Sequence, residues 1–245
     1  MKAYILLCVF AACIIPSYAA PNNSLSRLQA GNKRFVSGYP QHPNTSLSRI
    51  RETARNGQRP FAVVLACSDS RVPVELIFDA GIGDIVDVRT VGNICGVTEA
   101  AGIEYGAGYL GAPLVVVLGH TGCGAVSAAV QGAANPGNVM HIFSAIAPAA
   151  REAIRVHGLC CKDKVLSAAV QNNVWNSIEQ LYKRSPRIRH LAWQGRVTVV
   201  GAVYDVTTGS VSWLGKHPTE QFLIRERSFI PRIPWPPVLT WPFGR

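Results

Sequence analysis

Charge is scarce in this chain: only 16% of its 245 residues are Asp, Glu, Lys or Arg, and just 14 of those are acidic. The 24 Lys and Arg leave a net charge of +10, yet they form no run. A nucleic-acid surface is therefore not expected, and small anions are the better match for the excess. No C-x-x-C pair is present, which argues against a dithiol redox centre. What the chain does have is 48% hydrophobic residues, enough for a substantial core, so disorder as its main state is excluded.

Long apolar runs are also missing, except at the start. Met1 and Lys2 precede an apolar stretch over 4–15, followed by Pro16-Ser17-Tyr18-Ala19. One positive charge, a short greasy segment and small residues at the end describe a secretory leader, 1–19, cleaved after Ala19. Nothing later offers eighteen consecutive apolar residues, so no membrane span is expected in the mature protein, which reads as exported and periplasmic. Cys8 and Cys13 leave with the leader. The five that remain, Cys67, Cys95, Cys123, Cys160 and Cys161, are odd in number and include a vicinal pair, which does not resemble a disulfide framework. Cys95, Cys160 and Cys161 have no His or acid at ligand spacing and read as structural thiols.

Amphipathic patterning predicts helices over 24–37 and 46–56, with further helical stretches over 98–110, 124–131 and 164–183. Between them lie short apolar runs, 61–66, 85–88, 114–118 and 197–204, that read as buried strands. Alternation of the two predicts an α/β fold with a mainly parallel central sheet flanked by helices. The Thr-Gly-Ser turn within 205–213 predicts a hairpin that adds an antiparallel edge strand. A single folded domain is expected over 20–227, and 228–245, rich in Pro and Trp, reads as a separate C-terminal arm packed on a neighbouring subunit.

In parallel α/β sheets ligands collect beyond the carboxyl ends of strands. Two such ends carry thiols: Cys67 follows 61–66, and Gly119-His120-Thr121-Gly122-Cys123-Gly124 follows 114–118. Cys67, His120 and Cys123 are three ligands suited to Zn²⁺ with a fourth tetrahedral corner left open, the pattern of a catalytic rather than a structural site. Gly122 lets the backbone bend so that residues three apart face one ion. Asp69 lies near enough to reach the open corner, and Arg71 can hold it off in a bidentate pair, aimed as a hydrogen-bond acceptor. The plainer alternative is an Asp–Arg pair that only stabilises the loop.

Ala66-Cys67-Ser68-Asp69-Ser70-Arg71-Val72-Pro73 together with Gly119-His120-Thr121-Gly122-Cys123-Gly124 resembles the β-class carbonic anhydrases, over roughly residues 25–213. The resemblance implies one zinc per subunit on Cys67, His120 and Cys123, the Asp69 and Arg71 dyad as catalytic residues, and reversible hydration of CO₂ to bicarbonate. It implies a homodimer or homotetramer, with Gln58 contacting substrate from the neighbouring subunit. Gly124 corresponds to a backbone amide in the substrate site, and Val86, Val91 and Tyr105 to its apolar and aromatic walls. Val64 stands where a bicarbonate-inhibited subclass carries Trp, so this chain is more similar to the uninhibited, open subclass. Two thiolates would offset the metal's charge, which favours activity at alkaline pH. Hydrolysis of COS or CS₂ on the same scaffold, or a non-catalytic zinc- or anion-binding role, are the rival readings. His42, His141, His157, His190 and His217 are proton-carrier candidates by type alone.

Overall fold

Apolar runs too short for helices and too continuous for half-exposed strands become the buried centre of a five-stranded sheet. The computed structural model describes residues 21–133, 137–158 and 161–225. The leader, Cys160 and the C-terminal arm lie outside them. The strands are β1 (Ala62–Cys67), β2 (Ile85–Thr90), β3 (Leu114–His120), β4 (Thr198–Tyr204) and β5 (Val211–Gly215), in the spatial order β2-β1-β3-β4-β5. Pairings are parallel except for antiparallel β4 with β5, the expected hairpin edge.

Every residue of β1 and β3 is buried, because helices cover both faces. Val63, Leu65, Val115 and Val117 face one core cluster, while Ala62, Val64, Ala66, Leu114, Val116 and Leu118 face the other. The helices are α1 (Pro21–Ser37), α2 (Leu47–Asn56), α3 (Val74–Ile77), α4 (Val97–Ile103), α5 (Gly124–Val130), α6 (Val139–His157), α7 (Lys162–Arg184), α8 (Pro186–Trp193) and α9 (Glu220–Ile224). Asn32 of α1 ties that helix down: its amide donates to the carbonyls of Ile77 and Gly209, and its oxygen accepts from the N–H of Val211.

Two expectations are corrected. The helix expected over 98–110 is α4 running into a π-helical segment, Glu104–Tyr109, where Leu110 N–H bonds to Tyr105 O. Gly102, Gly106 and Gly108 weaken the regular helix there. No helix was expected between 131 and 164, yet α6 occupies 19 residues of it, since Pro148 and a run of alanines blur its periodicity. Of the remaining helices, α3, α8 and α9 are no longer than eight residues.

β2 contains a misplaced charge. Asp87 stands opposite Val64, its Oδ1 is buried without a partner, and burial, reinforced by Glu75, pushes its carboxyl up to about 6. A folded pKa above the ordinary 3.8 means that the folded state holds more protons between those values, so this group's contribution to stability falls as pH rises through that window. Two pH units correspond to about 3 kcal/mol, reduced to about 1 kcal/mol for a partly exposed side chain. Asp87→Asn is expected to be more stable than the wild type by about that amount at pH 8 and by nothing at pH 4. Thermal melts at the two pH values check it; a pH-independent difference refutes it.

Candidate metal centre

After β1 the chain moves outward to β2, then crosses back to place β3 on the other side of β1. Strand order therefore reverses between β1 and β3, where loops part and open a crevice at the carboxyl ends. Cys67 is the last residue of β1 and His120 the last of β3, so both project into that crevice. Cys123 follows after the Thr121-Gly122 turn, in which Gly122 has φ +65°, and it precedes the first turn of α5. A left-handed residue here costs glycine nothing, and it lets two ligands three apart converge.

The ligand atoms of Cys67, His120 and Cys123 all lie within 4.8 Å of one another, and all three residues are buried. His120 Nδ1 lies 2.9 Å from the carbonyl of Thr121, which can only accept, so Nδ1 carries the proton and Nε2 is left as a lone-pair donor. That Nε2 is buried with no hydrogen-bond partner. A hydrogen bond from the Cys123 thiol holds Cys67 far below the usual thiol range, assisted by the Gly92 amide, and the same bond pushes Cys123 up. The N–H groups of Ala125 and Val126 favour the Cys123 thiolate in opposition. Two sulfurs and an imidazole nitrogen, one of them otherwise orphaned, fit a borderline dication such as Zn²⁺.

Asp69 and Arg71 form the expected pair. Arg71 Nε donates to Oδ1 at 2.9 Å and Nη2 to Oδ2 at 2.7 Å, with the Arg71 N–H adding a third bond at 3.0 Å. These bonds hold the carboxyl well below the ordinary range. Oδ2 lies 3.9 Å from His120 Nε2, within reach of the metal position but restrained from it. Arg71 Nη2 also donates to Gly122 O at 3.2 Å, joining the two ligand-bearing loops.

Val91 and Gly124 lie at this end of the sheet: Val91 precedes Gly92, whose N–H donates to Cys67 Sγ, and Gly124 opens α5 beside Cys123. Gln58, Val86 and Tyr105 do not. Val86 is level with Val63, four residues below Cys67, roughly 13 Å along the strand. A Cβ on Gly106, next to Tyr105, would meet Val63 and Val86, so this segment sits at the same level. Gln58 precedes β1 and neighbours Gly83, at the amino end. A chain cannot bring these three to its own metal centre. His217 is also remote: it follows Gly215, which pairs with Gly201 near the start of β4, and it contacts Glu179 and Trp175. Cys95 is buried in the core, where burial pushes its thiol up to about 12 and leaves it unreactive.

Sequence reasoning missed the residues that hold the ligands from behind. Arg89 donates from Nε to Cys67 O at 3.1 Å and from Nη2 to Asp69 O at 2.6 Å, bracing the ligand loop. Asn173 and Ser177 of α7 bond to the turn containing Gly92. The readable signal was a polar pair four residues apart among Ala169, Val170, Val174 and Ile178, on an otherwise apolar helix face.

Three converging ligands with an acid restrained beside them, at the switch point of a parallel sheet, define a metalloenzyme layout. The chain belongs to the carbonic anhydrase family, whose model matches residues 62–211. It is 38% identical over 186 residues to carbonic anhydrase 2 of Mycobacterium tuberculosis, covering 74% of this chain and 87% of that one. Its fold is that of the β-carbonic anhydrases. The crystal structure of the β-carbonic anhydrase CafA of Aspergillus fumigatus superposes with a TM-score of 0.66 at 24% identity, over 81% of this chain and 94% of that chain. A tetrameric β-carbonic anhydrase of Sordaria macrospora gives 0.61 at 23% identity, over 79% and 98%. The chain is thus an enzyme of CO₂ hydration.

Proposed function

We propose that this carbonic anhydrase works with one zinc ion held by Cys67, His120 and Cys123, in an assembly of at least two copies, after export. The observation that carries the metal assignment is the buried, unpartnered Nε2 of His120 aimed at the two cysteine sulfurs. Zinc, when bound, supplies a Lewis acid that makes a water nucleophilic near neutral pH. The chain's own groups do the rest. Asp69, kept ionised by Arg71, accepts a hydrogen bond from the attacking water and orients its lone pair, and the released proton passes to solvent buffer. Val91, beside the centre and 42% exposed, offers CO₂ an apolar wall, and the Gly124 amide offers bicarbonate a donor.

Gln58, Val86 and Tyr105 complete a site only if a second copy brings them. An uncovered face supports this: α2 has no buried residue, Leu47 and Ile50 on it are exposed, and Tyr39 just before it is 80% exposed. The tetrameric Sordaria relative is an assembly of the same fold. Export rests on the leader-like 1–19, and among the described residues no helix is long and apolar enough to cross a membrane. Val64 in place of Trp supports the open, uninhibited subclass, with a rate rising smoothly toward alkaline pH.

Stopped-flow hydration of CO₂ by the zinc-loaded protein tests the reading, with COS and CS₂ as competing substrates. Gln58→Ala and Cys123→Ser are each expected to be slow alone and partly active when unfolded and refolded together, because mixed assemblies contain one site with every group intact. No recovery on mixing would refute the shared site, and preference for COS or CS₂ would refute the substrate.

A further inference from the structure

Helix α7 carries two polar side chains on its most deeply buried face. Asn173 is fully buried, Ser177 nearly so, and their i, i+4 spacing puts them one turn apart. Asn173 Nδ2 donates to Gly92 O at 2.7 Å, and Ser177 Oγ donates to Asn93 O at 2.9 Å. Both carbonyls belong to the turn Val91–Asn93, in which Gly92 and Asn93 have φ of +70° and +43°. Glycine takes that conformation freely, but Asn93 persists there only because its surroundings over-determine it. α6 closes the other side, since a Cβ on Gly92 would lie 2.6 Å from Ile146 Cδ1. What the turn presents to the metal centre is the N–H of Gly92, 3.2 Å from Cys67 Sγ.

Asn173 is an unfavourable way to fill its volume. Its Oδ1 is buried without a partner, as is the Nδ2 of Asn93, and each such atom costs about 1–3 kcal/mol. A leucine of similar size would remove the Oδ1 orphan but leave the Gly92 carbonyl without its donor, so the two changes largely offset each other. The amide's net contribution to stability is therefore small, and what its bond to the turn fixes is the position of the Gly92 N–H.

We propose that Asn173, assisted by Ser177, is a positioning residue of the metal centre: it clamps the Val91–Asn93 turn so that the Gly92 N–H stays on the sulfur of Cys67 and sets the orientation and donor strength of that ligand. The proposal rests on the zinc reading above. An N–H on sulfur withdraws electron density from it and fixes its orientation; losing such an outer partner makes the sulfur more electron-rich but frees it to turn, and weakens metal binding by about 10- to 100-fold.

The test is Asn173→Leu in the full chain, with three readouts: zinc affinity by chelator competition, the absorption of the cobalt(II)-substituted protein, and melting of the metal-free protein. Expected are zinc binding weakened at least about tenfold, a sulfur-to-cobalt charge-transfer band moved to longer wavelength, and a metal-free melting temperature close to wild type. Unchanged affinity and spectrum overturn the proposal, as does a loss of affinity that only tracks a lower melting temperature. Should Asn173→Leu fail to fold, Ser177→Ala decides on the same readouts, with zinc affinity expected to fall about threefold for one neutral hydrogen bond. A wild-type protein that takes up neither metal sinks the zinc reading and this proposal together; a loaded wild type beside an indifferent variant sinks the positioning role alone.

Discussion

Cys123→Ser and His120→Ala are each expected to lose stoichiometric zinc and nearly all CO₂ hydration. With only three protein ligands, removal of one leaves two, too few for a stable catalytic site. Lewis-acid stabilisation of several kcal/mol then disappears; at about 4 kcal/mol the rate falls on the order of a thousandfold. The fold should survive, because 62–66 of β1 and 114–118 of β3 pack in two core clusters that contain none of the three ligands. Metal analysis beside stopped-flow rates and circular dichroism checks all three statements. Full activity with one zinc per chain in Cys123→Ser would overturn the ligand assignment.

Arg71→Ala separates restraint of the acid from binding of the metal. Asp69 then loses both guanidinium bonds, its pKa returns toward the ordinary range, and Oδ2, already 3.9 Å from His120 Nε2, is free to move onto the open corner. Charge-assisted hydrogen bonds of this kind are worth about 1.5–3 kcal/mol, so a rate loss of roughly 10- to 100-fold is expected while zinc content stays near one. Arg71→Lys should recover only part, since an ammonium cannot make the paired bonds of the fork. X-ray absorption at the zinc edge should show a carboxylate oxygen among the ligands of Arg71→Ala. A variant that keeps its rate within twofold would reduce the pair to the loop-stabilising role that the spacing alone left open.

Where local spacing carried the information, the sequence was enough. Cys67, Asp69 and Arg71 lie within five residues and His120 and Cys123 within four, so each half of the site is a single turn whose shape follows from residue type and one glycine at φ +65°. The strands were readable for the same reason: apolar runs of five or six residues such as 114–118 and 61–66 can be satisfied only inside a sheet covered on both faces. α6 was not, because alanines bury as readily as they expose and leave no contrast between its faces.

The sequence by itself determined the three residues proposed to hold zinc, the acid paired with Arg71 beside them and the class of sheet that carries them. Tertiary structure alone decided how the two halves meet, since the reversal of strand order between β1 and β3 brings residues more than fifty positions apart to within one metal's reach. It decided that Gln58, Val86 and Tyr105 sit at the far end of the strands from the chain's own Cys67. It also decided that Asn173, 81 positions from Gly92, holds the turn behind a ligand. Such pairings leave no periodic trace in a single chain, because only packing of a helix against a strand end brings the two partners together.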